Sequence, residues 1–215
     1  MFTSIQFGFT QKKVELGVLP SFNHKASINK YYDLNMSFEA RYFIYQKTEG
    51  EKADVSIDYS LNDFTSLLAR QITLNSTLVG GFLIRLRSNT ANFRFIQQYI
   101  IESKWNQILV SHRIATDQTF SPNEATELRA RYRLSTELPL NGIEADPKEF
   151  YIKLRGEILH ILEGSQYDLE LRFSPYLGYT FPNKNKLELG FDNRIDSFIP
   201  ADLEFTSWTQ INWYF

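Results

Sequence analysis

The stretch LEFTSWTQINWYF, residues 203–215, decides which fold we predict. Every second residue in it is apolar or small, and most of the residues between are polar. Counted back from the end, the first set is Phe215, Trp213, Ile211, Thr209, Ser207 and Phe205. Such strict alternation predicts a β-strand with two chemically different faces. A strand that ends in Trp-Tyr-Phe is typical of a barrel whose outer face meets lipid, because aromatic side chains favour the membrane interface.

The same alternation recurs along the whole chain. It begins at residues 2–10 and continues through thirteen segments, separated by polar turns such as Thr48-Glu49-Gly50 and Asn141-Gly142. Residues 63–75 fit either a strand or a short helix capped by Asp63. Because a bacterial barrel has an even number of strands, we predict about 12, with about 10 and about 14 as alternatives. The predicted fold is all-β: a closed antiparallel up-and-down transmembrane β-barrel that occupies residues 1–215 as one domain.

Composition narrows the class of protein further. The net charge of −2 gives no electrostatic basis for binding nucleic acid, and the absence of cysteine excludes disulfides and cysteine metal sites. No apolar run reaches the roughly 18 residues that a membrane helix needs. The opening MFTSIQFGFT already alternates, so we interpret the chain as a mature form behind an added Met.

Three features indicate that the apolar face of each strand points outward. Aromatic residues lie near the ends of the apolar faces, as in the interfacial girdles of membrane barrels. The polar faces mix arginine with aspartate and glutamate, as in a lumen of paired charges, and the chain ends on Phe215. We therefore expect an integral protein of the outer membrane of Gram-negative bacteria. Phe205, Ile211, Trp213 and Phe215 would face lipid and would resemble the signal that the barrel assembly machinery reads during insertion.

The inward charges divide into two blocks along the chain. Residues 85–155 are mainly basic, whereas the residues from 168 to the end and on through the first sixty are mainly acidic, and ring closure makes each block contiguous. We therefore predict two facing walls of charge in the lumen. In a narrow barrel the walls would meet as ion pairs and plug the lumen, which we favour, and in a wider barrel they would flank water. The residues are Arg85, Arg87, Arg94, Arg113, Arg129, Arg131, Arg133, Lys153 and Arg155, then Asp168, Glu170, Glu188, Asp192 and Glu204.

Four short motifs resemble a family of outer-membrane β-barrel proteins of Bacteroidetes whose function is not known. The motifs are FRFIQQ at residues 93–98, SHRIATDQ at 111–118, RARYRL at 129–134 and LGY at 177–179. The resemblance runs from about residue 64 to the end. Asp117 stands where the family usually has glutamate, and Ala115 stands in place of a larger residue. The resemblance implies a fold and a location and supplies no activity.

Candidate catalytic and metal sites are weak in this sequence. Ser111 and His112 are adjacent, so on a strand they point to opposite faces, and His160 has no serine two residues away. The pairs Glu157 with Glu170 and Asp168 with Glu188 are more consistent with lumenal ion pairs than with acid–base catalysis. Asp196, Asp202 and Glu204 lack the spacing of a calcium loop. We predict no catalytic residues, no metal and no cofactor.

The leading functional hypothesis is a non-enzymatic outer-membrane barrel that serves as a narrow pore or as a scaffold subunit of an envelope complex. Its partners would be outer-membrane lipid, the barrel assembly machinery and other envelope proteins, with no nucleic acid. Two alternatives stay open: an outer-membrane lipid hydrolase, and a soluble lipocalin-like β-barrel that binds a hydrophobic ligand.

Overall fold

Eleven β-strands make up most of the chain that the computed structural model describes, which is residues 13–199 and 203–215. In chain order the strands are β1 (Lys13–Ser27), β2 (Tyr32–Thr48), β3 (Asp54–Thr73), β4 (Ser76–Leu86), β5 (Ala91–Trp105), β6 (Ile108–Phe120), β7 (Glu127–Pro139), β8 (Phe150–Glu163), β9 (Gln166–Thr180), β10 (Lys186–Asp196) and β11 (Glu204–Tyr214). Within those described ranges, no helix is long and apolar enough to cross a membrane.

The strands form one closed ring in the order β1-β11-β10-β9-β8-β7-β6-β5-β4-β3-β2. Strands that follow each other in the chain pair antiparallel, and the ring closes where β1 and β11 pair in parallel, from Lys13 opposite Glu204 to Asn23 opposite Tyr214. Successive strands alternate in direction, so an odd number of strands makes the closing pair parallel. We call the rim where β1 and β11 begin the N rim, and the rim beside Phe215 the C rim.

The predicted all-β closed barrel is confirmed, with two differences of detail. The described residues contain eleven strands instead of about 12, and the closing pair is parallel where we predicted antiparallel pairing throughout. The predicted strand at residues 2–10 lies outside the described residues. Of residues 63–75, for which we left a strand or a short helix open, residues 63–73 belong to the single strand β3, which contains no Gly or Pro and pairs with β2 on both sides of Asn62. The polar pair Asn62-Asp63 therefore lies within a strand and not in a turn, and Asp63 points into the lumen.

The two faces of every strand differ in chemistry, as the alternation predicts. Inward positions carry buried charged residues, and Asp117 and Glu188 each have a side chain that is only 1% exposed. Outward positions carry apolar residues with large exposed fractions, such as Phe22 at 51% and Leu189 at 50%. The period of two is fixed by backbone geometry, so one face fills the lumen and the other forms the outer surface.

One large aromatic residue breaks this rule in the first strand pair. Trp208 points inward, is buried, and lies opposite Gly17 in the parallel β1–β11 pair. A Cβ atom at Gly17 would come within 2.5 Å of the Trp208 ring, so only glycine leaves room for it. Phe43 packs against Trp208 with ring centroids 4.7 Å apart. These two rings fill the lumen on the side of the N rim.

Candidate functional site

The lumen holds nearly all of the site residues that the sequence predicts. Arg87 does not lie there, because β4 ends at Leu86 and the Arg87 backbone closes a turn with Thr90 (N to O, 2.9 Å). Asp168 accepts hydrogen bonds from the backbone N–H groups of Ser197 and Ile199 at the N rim. The others lie at inward strand positions: Arg85, Arg94, Arg113, Arg129, Arg131, Arg133, Lys153, Arg155, Glu170, Glu188, Asp192 and Glu204.

Asp117 on β6 is the centre of the first ion-pair cluster. Its carboxylate lies 3.3 Å from Arg94, 2.6 Å from Arg129 and 2.6 Å from Arg131, measured between nitrogen and oxygen atoms. The spacing of two residues on β7 brings both Arg129 and Arg131 to the same lumenal carboxylate. One aspartate therefore balances three guanidinium groups.

Glu157 on β8 repeats this arrangement closer to the C rim. Arg133 from the neighbouring strand β7 forms a hydrogen bond to Glu157, and Arg113 lies 3.0 Å from the same carboxylate. Arg172 on β9 approaches the other oxygen at 3.6 Å. Glu157 is buried, so this carboxylate is also shared by three arginines.

The remaining arginines have more conventional partners. Arg85 makes two hydrogen bonds of 2.8 and 2.6 Å to Asp63 across the β3–β4 pair, which is the fork geometry that favours strong pairing. Arg194 pairs with Asp192 at 2.6 Å, and Asp192 also accepts a 2.9 Å hydrogen bond from Ser174. These pairs lie within one strand or between neighbours.

Glu188 on β10 is the centre of a cluster near the C rim. Lys153 lies 2.7 Å away, and the hydroxyls of Tyr151 and Tyr214 each donate a hydrogen bond of 3.0 Å. Asn212 donates a longer bond of 3.4 Å. The buried carboxylate is therefore fully coordinated by one cation and three neutral donors.

Two opposite sides of the lumen differ in charge. The arginine wall consists of Arg94, Arg113, Arg129, Arg131, Arg133, Arg155 and Arg172 on β5 to β9. The strands β1 and β11 stand opposite the middle of this wall in the ring and present the neutral residues Ser21, Asn23, Gln210 and Asn212, which we call the amide wall. The charges are thus distributed differently from the predicted pair of basic and acidic walls. Acidic residues are interleaved with the arginines, because strand neighbours supply most partners.

Arg155 is the exception within the arginine wall. No carboxylate of the described residues lies within ion-pairing distance of it, and its Nε–H has no hydrogen-bond partner there. Its guanidinium packs over the ring of Tyr176 at 5.1 Å and donates a 3.3 Å hydrogen bond to that hydroxyl. The Nε atoms of Arg113 and Arg131 are buried and unpartnered as well.

A cavity of about 290 Å³ lies between the two walls. Ten arginines and four carboxylates line it, together with the four residues of the amide wall. A second cavity of about 230 Å³ lies toward the C rim and shares Arg113, Arg133 and Arg155 with the first. A third, of about 420 Å³, opens at the C rim itself.

The outer surface carries two histidine–tyrosine pairs. The Nδ1 atom of His112 lies 2.8 Å from the Tyr132 hydroxyl, and that of His160 lies 2.6 Å from the Tyr167 hydroxyl. Ser111 lines the lumen, on the other face of β6 from His112. Among residues 13–199 and 203–215, neither of these histidines forms a hydrogen bond with a serine.

The four residues of the predicted assembly signal lie on the outer face of β11 or at its end. Phe205 lines a shallow apolar groove between β7 and β10, and Trp213 packs against Phe181 with ring centroids 5.2 Å apart. Phe215 is half exposed and extends the parallel pairing: its N–H donates to the Asn23 carbonyl at 3.0 Å.

Several lumenal residues were missing from the predicted site. Asp63 belonged to the ambiguous segment 63–75. A register irregularity between Tyr59 and Leu61 reverses the phase of β3, so the odd positions face outward up to Tyr59 and inward at Leu61 and Asp63. Glu157 was regarded only as one member of a carboxylate pair, and its three arginine partners come from β6, β7 and β9. The phase of the alternation could have identified Glu157 as inward, but not its partners, and it could not have identified Asp63 because the irregularity in β3 reverses the phase before it.

Charged groups at the C rim make isolated pairs. Lys104 lies 2.6 Å from Glu144 in the connection between β7 and β8, and this hydrogen bond and charge lower the pKa of Glu144. Across residues 13–199 and 203–215, no three histidine, aspartate or glutamate side chains are grouped closely enough to bind a metal ion.

Comparison with known proteins gives one match. A family model with the description "Protein of unknown function (DUF2490)" matches residues 16–202, from the beginning of β1 to the connection before β11. Neither the curated proteins nor the solved structures give a match. The matched description contains no activity, organism or location.

Proposed function

We infer that this chain, which belongs to the DUF2490 family of proteins of unknown function, is a non-enzymatic integral β-barrel of the bacterial outer membrane. Its lumen is closed by ion pairs, so its role is that of a structural or scaffold subunit of the envelope and not of an open pore. The observation that carries this proposal is the inverted polarity of the barrel, which has charges inside and apolar side chains outside.

The inverted polarity distinguishes the proposal from a soluble barrel. In water, exposing so many large apolar side chains would cost about 25 cal/mol for every Å² of apolar surface, and soluble proteins rarely expose contiguous apolar patches of this extent. In lipid the same surface is favourable, and the polar groups are satisfied in the lumen. A lipocalin-like barrel needs an apolar interior for its ligand, whereas this interior holds buried carboxylates such as Asp117, Glu157 and Glu188.

The dimensions of the barrel also fit a bilayer. The strands have 11 to 20 residues, and about 9–11 residues suffice to cross when tilted. Ring closure leaves no unpaired strand edge, which the hydrocarbon region would penalise. Aromatic pairs lie toward both rims, with Tyr42 beside Tyr59 toward the N rim and Phe150 beside Tyr179 toward the C rim. These are the positions that interfacial girdles occupy.

The contents of the lumen support the plugged alternative. Ion pairs connect neighbouring strands around the arginine wall, and the buried ring of Trp208 packs with the half-buried ring of Phe43 in the lumen on the side of the N rim. The central cavity holds on the order of ten water molecules at the liquid volume of about 30 Å³ each, which is far less than the channel of a porin. A scaffold role therefore fits better than the passage of solutes.

The lipid hydrolase hypothesis gains no support from the geometry. His112 and His160 each face a tyrosine hydroxyl on the outer surface, and Ser111 lies on the lumenal face. Nucleophilic catalysis needs a serine within hydrogen-bond reach of the histidine. We therefore keep the non-enzymatic proposal.

Spin labels on β11 test the membrane location. The chain contains no cysteine, so single cysteines at Ile211 and Trp213 carry one label each. In phospholipid vesicles we expect both labels to be relaxed by dissolved oxygen and protected from an aqueous nickel chelate. Labels at Gln210 and Asn212 should be relaxed strongly by neither oxygen nor the nickel chelate. These two variants are compared only if they keep the heat-sensitive gel migration of a folded barrel. Preferential relaxation of labels 211 and 213 by the nickel chelate would favour a water-soluble barrel.

Deletion of Phe215 tests the predicted assembly signal. The residue contributes backbone hydrogen bonds to β1 and a ring contact with His24 at 4.9 Å, but half of its surface is exposed. We expect the truncated chain to refold in detergent with an unfolding midpoint close to that of the full chain. Its yield in outer-membrane fractions should fall severalfold, whereas Phe215→Tyr, which keeps a terminal aromatic residue, should leave the yield unchanged. Equal yields from the truncated and full chains would show that Phe215 is not part of an assembly signal.

A further inference from the structure

The lumen contains more positive charge than its own carboxylates balance. Ten arginines line the central cavity against four carboxylates. Asp117, Glu127 and Glu170 pair with the same arginines from positions that do not line the cavity, which brings the total to seven carboxylates. An excess of three positive charges therefore faces an enclosed space. Because uncompensated buried charge is costly, this space favours an anion.

The excess is localised at Arg155. This is the lumenal arginine without a carboxylate partner among the described residues. Arg113 and Arg133 line the same two cavities as Arg155 and share the single carboxylate of Glu157. The buried Nε–H groups of Arg113 and Arg155 have no hydrogen-bond partner among the described residues, so the protein does not use the full donor capacity of these two guanidinium groups.

The opposite side of the cavity can complete the coordination of an anion. The amide wall presents hydroxyl and amide groups from Ser21, Asn23, Gln210 and Asn212 and no charge. Such groups donate hydrogen bonds to an oxyanion without repelling it. A carboxylate at any of these positions would instead neutralise the arginine wall.

We propose that the lumen binds a small phosphate-bearing solute, with its oxyanion held by Arg155, Arg113 and Arg133. Guanidinium groups present planar pairs of N–H donors that match phosphate oxygens, and these charge-assisted bonds are among the strongest in proteins. A volume of about 290 Å³ admits a phosphate group with a small organic substituent and some water. It does not admit the acyl chains of an intact phospholipid.

The access route leads from the C rim. The cavity of about 230 Å³ links the centre to the C-rim cavity, because it shares Arg155 with the former and Lys153 with the latter. The mouth carries Lys25, Lys184 and Lys186 together with Glu137 and Glu188, and two of these lysines are paired: Lys25 with Asp33 at 2.8 Å and Lys186 with Glu137 at 3.4 Å.

The N rim is closed to the same solute. Trp208 and Phe43 fill the lumen there, and the acidic residues Glu170, Asp196 and Glu204 lie beyond them on β9, β10 and β11. A phosphate-bearing solute is therefore bound in a dead-ended site and does not pass through. This inference does not depend on the membrane location, because the lumen is the same in a detergent micelle.

Binding is measured on the full chain purified in a non-ionic detergent. Inorganic phosphate and glycerol 3-phosphate are the probes, with sodium chloride at the same ionic strength as the reference. We expect phosphate to bind in calorimetry with one site per chain and to raise the thermal unfolding midpoint above that in chloride. No phosphate-specific effect on the native chain would overturn the site, whatever the outcome of the spin-label test.

Two charge-removing variants locate the site. Arg155→Gln is expected to weaken phosphate binding at least tenfold and to abolish the thermal shift, and Arg87→Gln, an equal charge change outside the lumen, is expected to bind as the native chain does. Equal losses in both variants, or none in Arg155→Gln, would contradict the proposal. If Arg155→Gln does not fold, Arg155→Lys keeps the charge without the planar fork, and affinity equal to that of the native chain would then overturn the assignment.

A lipid control separates the two sources of phosphate. Phosphatidylglycerol added to the micelles offers the same phosphate chemistry on an intact lipid. Because the lumen excludes acyl chains, we expect glycerol 3-phosphate to bind in its presence with unchanged affinity. Binding of the intact lipid alone, without any effect of the soluble phosphates, would place the anion on the outer surface and refute the lumenal site.

Discussion

The arginine wall and the amide wall enclose the same cavity but satisfy their polar groups in different ways. On β5 to β9, Asp117 and Glu157 are each shared by three guanidinium groups. On β1 and β11, neutral side chains bond to each other and to nearby tyrosine or backbone groups. Asn23, for example, donates to Ser21 at 3.1 Å.

The two walls therefore differ in how much they contribute to stability and in their capacity to bind a ligand. A shared carboxylate is essential to the groups around it, because its loss leaves several buried charges without compensation. A neutral hydrogen bond is worth only about 0.5–1.5 kcal/mol net. The arginine wall is therefore both the more fragile side of the lumen and the side with capacity for a ligand.

The largest expected effect comes from the combined substitution of Arg129, Arg131 and Arg133 by Gln. Asp117 would lose two of its three partners and Glu157 would lose one. Breaking buried pairs of this kind costs about 3–5 kcal/mol each. We expect the free energy of unfolding in phospholipid vesicles to fall by about that amount or more, measured by guanidinium titration with tryptophan fluorescence.

The same triple variant should also open the lumen. In planar bilayers we expect no stable current steps from the native chain and a leak conductance that favours cations from the variant, because carboxylates then predominate along β6 to β8. A variant as stable and as non-conducting as the native chain would mean that these arginines do not plug the lumen.

A smaller effect is expected from Glu157→Gln, which keeps the shape of the side chain and removes its charge. Arg113, Arg133 and Arg172 would then share no carboxylate at this point, and we expect a loss of about 3 kcal/mol in the same guanidinium titration. The matched change on the amide wall is Gln210→Leu, which removes the acceptor of the Tyr176 hydroxyl and should cost about 1 kcal/mol. Equal losses would show that the two walls do not differ energetically.

The sequence predicts much of this comparison, because the period of two is local. Arg129, Arg131 and Arg133 point the same way for reasons of backbone geometry alone, whatever the rest of the chain does. The inward phase of Glu188 and Asp192 follows in the same manner. The prediction that Arg87 faces the lumen was wrong, because the alternation applies only inside a strand. β4 ends at Leu86, just before the turn at Ser88-Asn89-Thr90.

The partners of the inward residues depend on which distant strands pair and in what register. The alternation along one strand carries no information about that pairing. The parallel closure of β1 and β11 places Gly17 opposite Trp208. In the sequence of the terminal strand alone, Trp208 is simply an aromatic residue among polar ones. The predicted number of about 12 strands is close to the eleven strands of the described residues. Their closing pair is parallel because β1 begins at the rim opposite to the end of β11, which is again a property of ring closure. The two walls are consequently a property of the closed ring and not of any one segment.

The smallest expected change in the free energy of unfolding is that of Arg155→Gln in buffer without phosphate. It is also the one variant for which we expect no loss of stability. Every other arginine of the arginine wall has a carboxylate within ion-pairing distance, whereas Arg155 has none among the described residues and its guanidinium hydrogen-bonds to the Tyr176 hydroxyl. Removing its charge therefore breaks no ion pair and relieves repulsion from Arg113 and Arg133, which line the same cavities. We expect the unfolding midpoint in guanidinium to be unchanged or slightly higher, by a free energy of less than about 1 kcal/mol. A loss close to that of Glu157→Gln would mean that Arg155 has a structural role, and the capacity of the arginine wall for a ligand would then have to come from other residues.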